Sequence, residues 1–238
     1  MRRWLWVVGL VLWLVPAISI EARRAISIVQ SVSEVGNDVV VTFGAAPAST
    51  NHVVIATIIQ LETNTISITG WTPTVNTLMG PVDSAGFAIR AYLFCTTGDD
   101  ADTSFTATTS GSNQANVFAL EMSGGSCTME DSDSNDTDPG AMAHSLTTDL
   151  TTTAGSLVVG WLSSATGATY TKHASYTLIA DVTAEAAAQY LITAGGSDDP
   201  TWTSSANEDA LVLGASILAA GVAPTCRGAL SLLGVGGC

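Results

Sequence analysis

From residue 25 onward, apolar and polar side chains either alternate with a period of two or gather in short β-branched runs, and turn residues separate them. AISIVQSVSEV (25–35) and VVVTF (39–43) flank Gly36-Asn37-Asp38, residues suited to the positive φ of a hairpin turn. Further strands are predicted at HVVIATIIQL (52–61), TISITGW (65–71), GFAIRAYLF (86–94), TSFTATT (103–109), ANVFALEM (115–122), GSLVVGWLSS (155–164), SYTLIADV (175–182), AAAQYLIT (186–193) and ALVLGASILAA (210–220). No segment past residue 25 keeps a 3.6-residue apolar period, and AEAAAQYL comes nearest, as a short helical turn. The pattern predicts an all-β chain, a two-layer antiparallel β-sandwich. HVVIATII and SLVVGWL are apolar on both faces, so each strand is either covered on its outer side or forms a contact surface for self-association or docking.

Two stretches resemble each other. HVVIAT, Trp71, AYLFCTTGDDADTSFT and VFALEMSGG are followed later by SLVVGW, Tyr176, QYLITAGGSDDPTWT and LGASILAAG. Phe105 to Gly124 and Trp202 to Gly221 both span nineteen positions, whereas Trp71 to Tyr92 is twenty-one and Tyr176 to Tyr190 fourteen. An internal duplication would place repeats at 51–125 and 155–221 within a sandwich body of residues 23–221. The segment 126–154, with EDSDSNDTDPG at 130–140, is then an acidic connector.

The first residues change the expected location. Met1-Arg2-Arg3 precedes seventeen uncharged residues, Trp4 to Ile20, so residues 1–22 are an apolar leader helix, either a signal peptide or a membrane anchor. Export fits the four cysteines, for which sequence proximity favours the pairs Cys95–Cys127 and Cys226–Cys238, the second bracketing an apolar tail at 222–238. The net charge is −14, and Arg90, Lys172 and Arg227 are the basic residues beyond Arg24, so a nucleic-acid partner is excluded. A membrane contact would run through the N-terminal segment if it is uncleaved.

The run from IVQSVSEVGNDVVVTF through HVVIATIIQ, Gly70-Trp71-Thr72, AYLFCTTGDD and VFALEMSGG resembles Thr/Ser/Gly-rich jelly-roll-like β-sandwich modules of bacteriophage virion-associated and bacterial surface proteins. The shared features are a Val-Gln-Ser first strand, Pro47 before an Asn-led strand, the Gly-Trp-Thr turn and a Gly-Asp turn. The resemblance implies a fold and transfers no catalytic residue.

Candidate chemistry gathers in the acidic groups. Asp131, Asp133, Asn135 and Thr137 take alternate positions of an EF-hand-like loop, a spacing suited to calcium, but Asp136 and Met142 stand where that loop needs Gly and a bidentate Glu. Asp99, Asp100 and Asp102 match Asp198 and Asp199 in the other half, where end loops of a sandwich could bind a ligand or form tight turns. Asn135-Asp136-Thr137 is a glycosylation sequon. Trp71, Trp161 and Trp202 with Tyr92, Tyr176 and Tyr190 suggest a sugar-stacking platform, against the alternative of core packing. His52, His144 and His173 are isolated and read as surface or turn residues, and Glu121 is the one acid within a clear strand. No GxSxG or HExxH motif occurs.

These observations point to a secreted or surface-exposed, non-catalytic structural or adhesive module acting through assembly or ligand binding, with itself or a surface or virion protein as partner. The alternatives are a virion-associated structural protein, and a carbohydrate-binding module or carbohydrate-active enzyme on a sandwich scaffold.

Overall fold

A computed structural model describes residues 25–60, 63–86, 88–164, 168–182 and 185–221. The leader helix, the Cys226–Cys238 pair and the tail lie outside the described residues. The described residues form strands β1 (Ser27–Gly36), β2 (Val39–Thr42), β3 (His52–Ile59), β4 (Ile66–Thr69), β5 (Asn76–Asp83), β6 (Arg90–Thr97), β7 (Ser104–Thr109) and β8 (Ala115–Ser123) in the first half. In the second half they form β9 (Gly125–His144), β10 (Leu150–Thr152), β11 (Leu157–Ser164), β12 (Tyr170–Lys172), β13 (Thr177–Val182), β14 (Ala186–Ile192), β15 (Gly196–Asp198) and β16 (Trp202–Ala219).

The first half is one sandwich, with a sheet of order β1-β8-β3-β6-β5 facing a sheet of order β2-β7-β4. That is a jelly-roll order, with β5 attached beside β6. Gly36-Asn37-Asp38 does not close a hairpin: β1 pairs with β8 and β2 with β7, so the turn is a corner between the two sheets, with Asp38 at φ 48°. The second half repeats the order with eight added to each strand number: β16 pairs with β9 and β11, β11 with β14, and β14 with β13. Its outer layer is β10 paired with β15, and β12 paired with the first residues of β16.

Irregularities repeat as well. Val29 is the extra residue of β1 between the pairs Ile28↔Met122 and Gln30↔Glu121, and Glu130 is the extra residue of β9 between Met129↔Ile217 and Asp131↔Ser216. Leu78 in β5 and Ile179 in β13 are likewise extra, opposite Leu93–Phe94 of β6 and Ala188–Gln189 of β14. A bulge is a local device that re-aims side chains. Two of them at matching ladder positions are what a duplicated sandwich leaves behind.

The chain therefore holds two two-layer sandwiches stacked through their larger sheets, where the sequence suggested one. The second unit begins at β9, not at residue 155. Residues 126–154 are not a connector, because β9 runs through the acidic segment and occupies beside β16 the place β1 takes beside β8.

The stack explains the strands that are apolar on both faces. Val54, Ala56 and Ile58 of β3 meet Leu157, Val159 and Trp161 of β11 in a core shared by the two halves. The opposite sides, Val53, Ile55 and Ile59, lie under Val41, Phe43 and Phe105 of the small sheet. Val158 and Leu162 are covered by Leu146, Leu150, Tyr170, Tyr176 and Trp202. Both faces are thus enclosed by the chain itself, and neither strand is a docking surface. Each large apolar side chain so buried contributes roughly 1.5–3 kcal/mol, so the halves cannot part without exposing many such increments. The Cys95–Cys127 disulfide crosses this shared core from β6 to β9. Hydrogen bonds from Gln60 to Glu185, and from the Ala85 and Gly86 amides to Asp136, also join the halves.

Candidate functional site

The acidic segment is where a cation was expected. Along an extended strand alternate residues stand about 7 Å apart, so Asp131, Asp133, Asn135 and Thr137 are spread in a row instead of curling about a point. Each is engaged locally. Asp131 Oδ2 accepts from Thr151 N at 2.8 Å, Asp133 Oδ2 from Thr148 N, and Asn135 Nδ2 donates to Ser145 O at 3.0 Å. Thr137 Oγ1 donates to Ala210 O at 3.0 Å. Glu130, turned by its bulge, accepts from Thr153 N at 3.0 Å, from Ser156 Oγ and Ser216 Oγ at 3.1 Å each, and from Thr153 Oγ1. The row of carboxylates holds the backbone amides of Thr148, Thr151 and Thr153. The sequon residue Asn135 has its amide in that same network.

In the first half, Glu121 is 2% exposed and its oxygens accept from Gln30 Nε2 (2.6 Å), Asn51 Nδ2 (2.6 Å) and Ala48 N (3.0 Å). Asp99 accepts from Ala101 N at 3.0 Å and Thr72 N at 3.2 Å, and the Ala101 bond foremost holds its carboxyl below the usual range. Asp100 takes the Ser49 N–H at 2.8 Å, and the Ser49 side chain foremost, with that N–H, lowers its carboxyl too; Asp102 is exposed. This loop is tight-turn chemistry. Gly98 sits against the preceding loop so closely that a Cβ would lie 2.2 Å from Ala48 O.

The aromatic residues are packing groups. Trp161, Trp202, Tyr92 and Tyr176 are buried, and Tyr190 packs against the shared core. Trp71 is half-buried, its ring against Phe43 and Phe105 and its Nε1 donating to Thr97 O at 2.9 Å. These six form no flat exposed platform, because four are buried, Tyr190 packs on the shared core and the Trp71 ring lies against Phe43 and Phe105.

His144 also departs from expectation. It is fully buried, with Nε2 3.0 Å from Ser204 Oγ and 3.9 Å from Glu208 Oε1, and Nδ1 2.9 Å from Thr137 Oγ1. The residue types evoke a nucleophile and base, but Nε2 faces both Ser204 and Glu208, so the carboxylate stands on the serine side of the ring and not at the far nitrogen, where a triad needs it. The Ser204 hydroxyl also lies 2.6 Å from Ala206 O. Burial lowers the imidazole's pKa, against the pull of Glu208.

An end-loop pocket of about 500 Å³ stands open in the second half, lined among others by His173, Tyr176, Thr193, Asp198, Asp199 and Thr201. Its shape follows from local sequence: Gly195 and Gly196 at φ +89° and +119° make the β14–β15 turn, and β15 pairs with β10 to bring Thr152 beside Asp198. A Cβ on Gly195 would also lie 2.7 Å from Ala154 N. Asp198 Oδ2 accepts from Thr152 Oγ1 at 2.6 Å and from Thr193 Oγ1, and Asp199 Oδ1 from Leu146 N at 3.2 Å. Burial first of all pushes the Asp199 carboxyl above its usual range; Asp149 and Asp133 add to this, while the Leu146 N–H and His173 oppose it. The rings of His173 and Tyr176 meet edge to face at 5.6 Å.

Of the sequence candidates, Asp198 and Asp199 reach this pocket, Trp202 lies in the core beneath, and Asp99, Asp100, Asp102 and Trp71 form the separate turn of the first half. Tyr176 was a candidate only for the aromatic platform and His173 reads as the exposed turn residue expected, while Thr193 went unforeseen; chain pairing brings the three together at this pocket. The fold defines a tandem jelly-roll sandwich protein. Against known proteins, the chain matches no family model, no curated protein and no solved structure.

Proposed function

We propose that this chain is a non-catalytic structural module of a secreted or surface-exposed assembly, a rigid block that acts through its end loops and strand borders. The observation that carries the reading is how its acidic side chains are engaged. Glu121, Glu130, Asp131, Asp133 and Asp136 each accept backbone or amide N–H groups, and so hold loops against sheets. Carboxylates held this way give shape and rigidity. A disulfide across the shared core adds to that and suits an oxidising compartment. The tandem jelly-roll order favours one narrower reading, a virion-associated structural protein, since jelly rolls recur in capsids.

Sedimentation velocity of the oxidised protein across a wide concentration range tests the assembly. Discrete, concentration-dependent oligomers are expected. A monomer throughout, or turnover of chromogenic ester, peptide or glycoside substrates that Ser204→Ala abolishes, would overturn it.

A further inference from the structure

We propose that the Asp199–Pro200 peptide bond is a self-cleavage site, broken by the Asp199 carboxyl. The event is a single step of the chain on itself, without turnover, so it neither rests on the assembly reading nor conflicts with it. The residue types supply the chemistry. An aspartyl carboxyl can close a five-membered ring on its own backbone carbonyl carbon, and a proline nitrogen, more basic than that of a secondary amide, leaves more readily. The sequence holds two such bonds, Asp138–Pro139 within β9 and Asp199–Pro200 in the loop between β15 and β16.

The fold prepares the second of them. The Asp199 carbonyl oxygen accepts the Thr201 N–H at 2.8 Å, so a backbone donor already stands where negative charge develops when the carbonyl carbon becomes tetrahedral. Asp199 Oδ1 accepts from Leu146 N at 3.2 Å, which pins the carboxyl from outside its own loop and leaves Oδ2 to attack. Pro200 is buried, its ring over a notch made by two facing glycines of the central strands. A Cβ on Gly160 of β11 would lie 2.3 Å from Pro200 Cβ, and one on Gly214 of β16 would lie 3.0 Å from Pro200 Cγ. The leaving nitrogen is thus fixed by the core, while Asp199 and Thr201 line the open pocket through which water arrives. Holding both sides of the bond in place removes part of the entropy cost of reaction.

In the un-ionised carboxyl, Oδ2 attacks the Asp199 carbonyl carbon, the carboxyl proton passes to Pro200 N, and the C–N bond breaks. A cyclic anhydride is left at Asp199, and one water opens it to a free carboxyl terminus. The net change is one water taken up. Burial favours the un-ionised form. The titratable groups around it are Asp133, Asp149, Asp198, His173 and Tyr176; Asp133 and Asp149 add to the effect of burial and His173 opposes it. After the cut β16 stays paired with β9 and β11, so the product is a nicked, folded protein.

Intact mass spectrometry of the full chain, incubated from neutral to mildly acidic pH, tests the proposal. Two fragments should appear, one ending at Asp199 and one starting at Pro200, with masses that sum to the intact chain plus one water. They should co-elute until denaturant is added. The folded protein should cut at Asp199–Pro200 about tenfold or more faster than at Asp138–Pro139, and by a similar factor faster than at the same bond in the urea-unfolded chain. Asp199→Ala should abolish the cut. Thr201→Pro removes the N–H donor and should slow it by about tenfold or more, with the emission of Trp161 and Trp202 reporting that the fold is kept. The proposal is overturned if no fragment forms or if Asp199→Ala still cuts. It is overturned as well if the two Asp–Pro bonds break at one rate, or if unfolded and folded chains cut alike, because the bond would then show only the lability of its sequence. A folded Thr201→Pro variant that cuts at the wild-type rate has the same consequence.

Discussion

Replacing Cys95 and Cys127 together by alanine removes a covalent tie across the shared core. The bridge closes a loop with a sequence separation of 32 residues, and the chain-entropy relation puts its stabilisation at about 4 kcal/mol. For a protein of this size that corresponds to a drop of about 8–16 °C in melting temperature. Alanine keeps both positions apolar, and the double replacement leaves no lone buried thiol. Urea unfolding followed by the emission of Trp161 and Trp202, both at most 1% exposed, measures the loss. Because β3 and β11 pack into the same core, the two halves should unfold in one transition with and without the bridge. The reasoning fails if the variant loses less than about 1 kcal/mol, since the loop closed by the bridge would then be constrained by something other than the disulfide. It fails differently if wild-type emission reports two separated transitions, because the halves would then not depend on each other.

Two further predictions concern groups the fold has enclosed. Glu130→Ala leaves Ser156 and Ser216, each at most 1% exposed, without their acceptor, and should cost about 2–4 kcal/mol in urea unfolding, whereas Glu130→Gln should recover part of it. Equal stability of the alanine variant and wild type would show that the β9 carboxylates do not anchor the 148–153 loop. His144 has its pKa lowered in the fold, so the folded state binds fewer protons than the unfolded chain. Stability is untouched well above the unfolded value near 6.5 and falls as pH drops through it, with His52 adding to the same trend. Unfolding midpoints measured between about pH 7 and pH 5 should fall more steeply for wild type than for His144→Gln. Superimposable slopes would remove His144 from the account.

How much could be read in advance depended on where a strand sits. β3, β6, β8, β11 and β14 announce themselves through β-branched and apolar runs, because a central strand must satisfy neighbours on both faces. β5 and β9 do not. β5 is a bulged edge strand interrupted by Gly80-Pro81, and β9 carries a row of acids whose partners are loop amides. An edge strand pairs on one side only, and its side chains answer to whatever lies beside it. Asp198 and Asp199 were visible as an acidic turn, while their meeting with Tyr176 and His173 was not, since these reach the pocket only through the pairing of β13 with β14 and of β10 with β15.

Alternation, branching and spacing are local properties of the chain, so the all-β class, the positions of the buried strands and the resemblance of the two halves were legible in it, and proximity favoured the Cys95–Cys127 pair that the fold forms. Tertiary structure alone decided that two sandwiches stack where one seemed sufficient, that an acidic run becomes a strand, and that His144 is buried. Those outcomes depend on which faces meet, and apolar area removed from water is a property of pairs of surfaces that no single segment encodes.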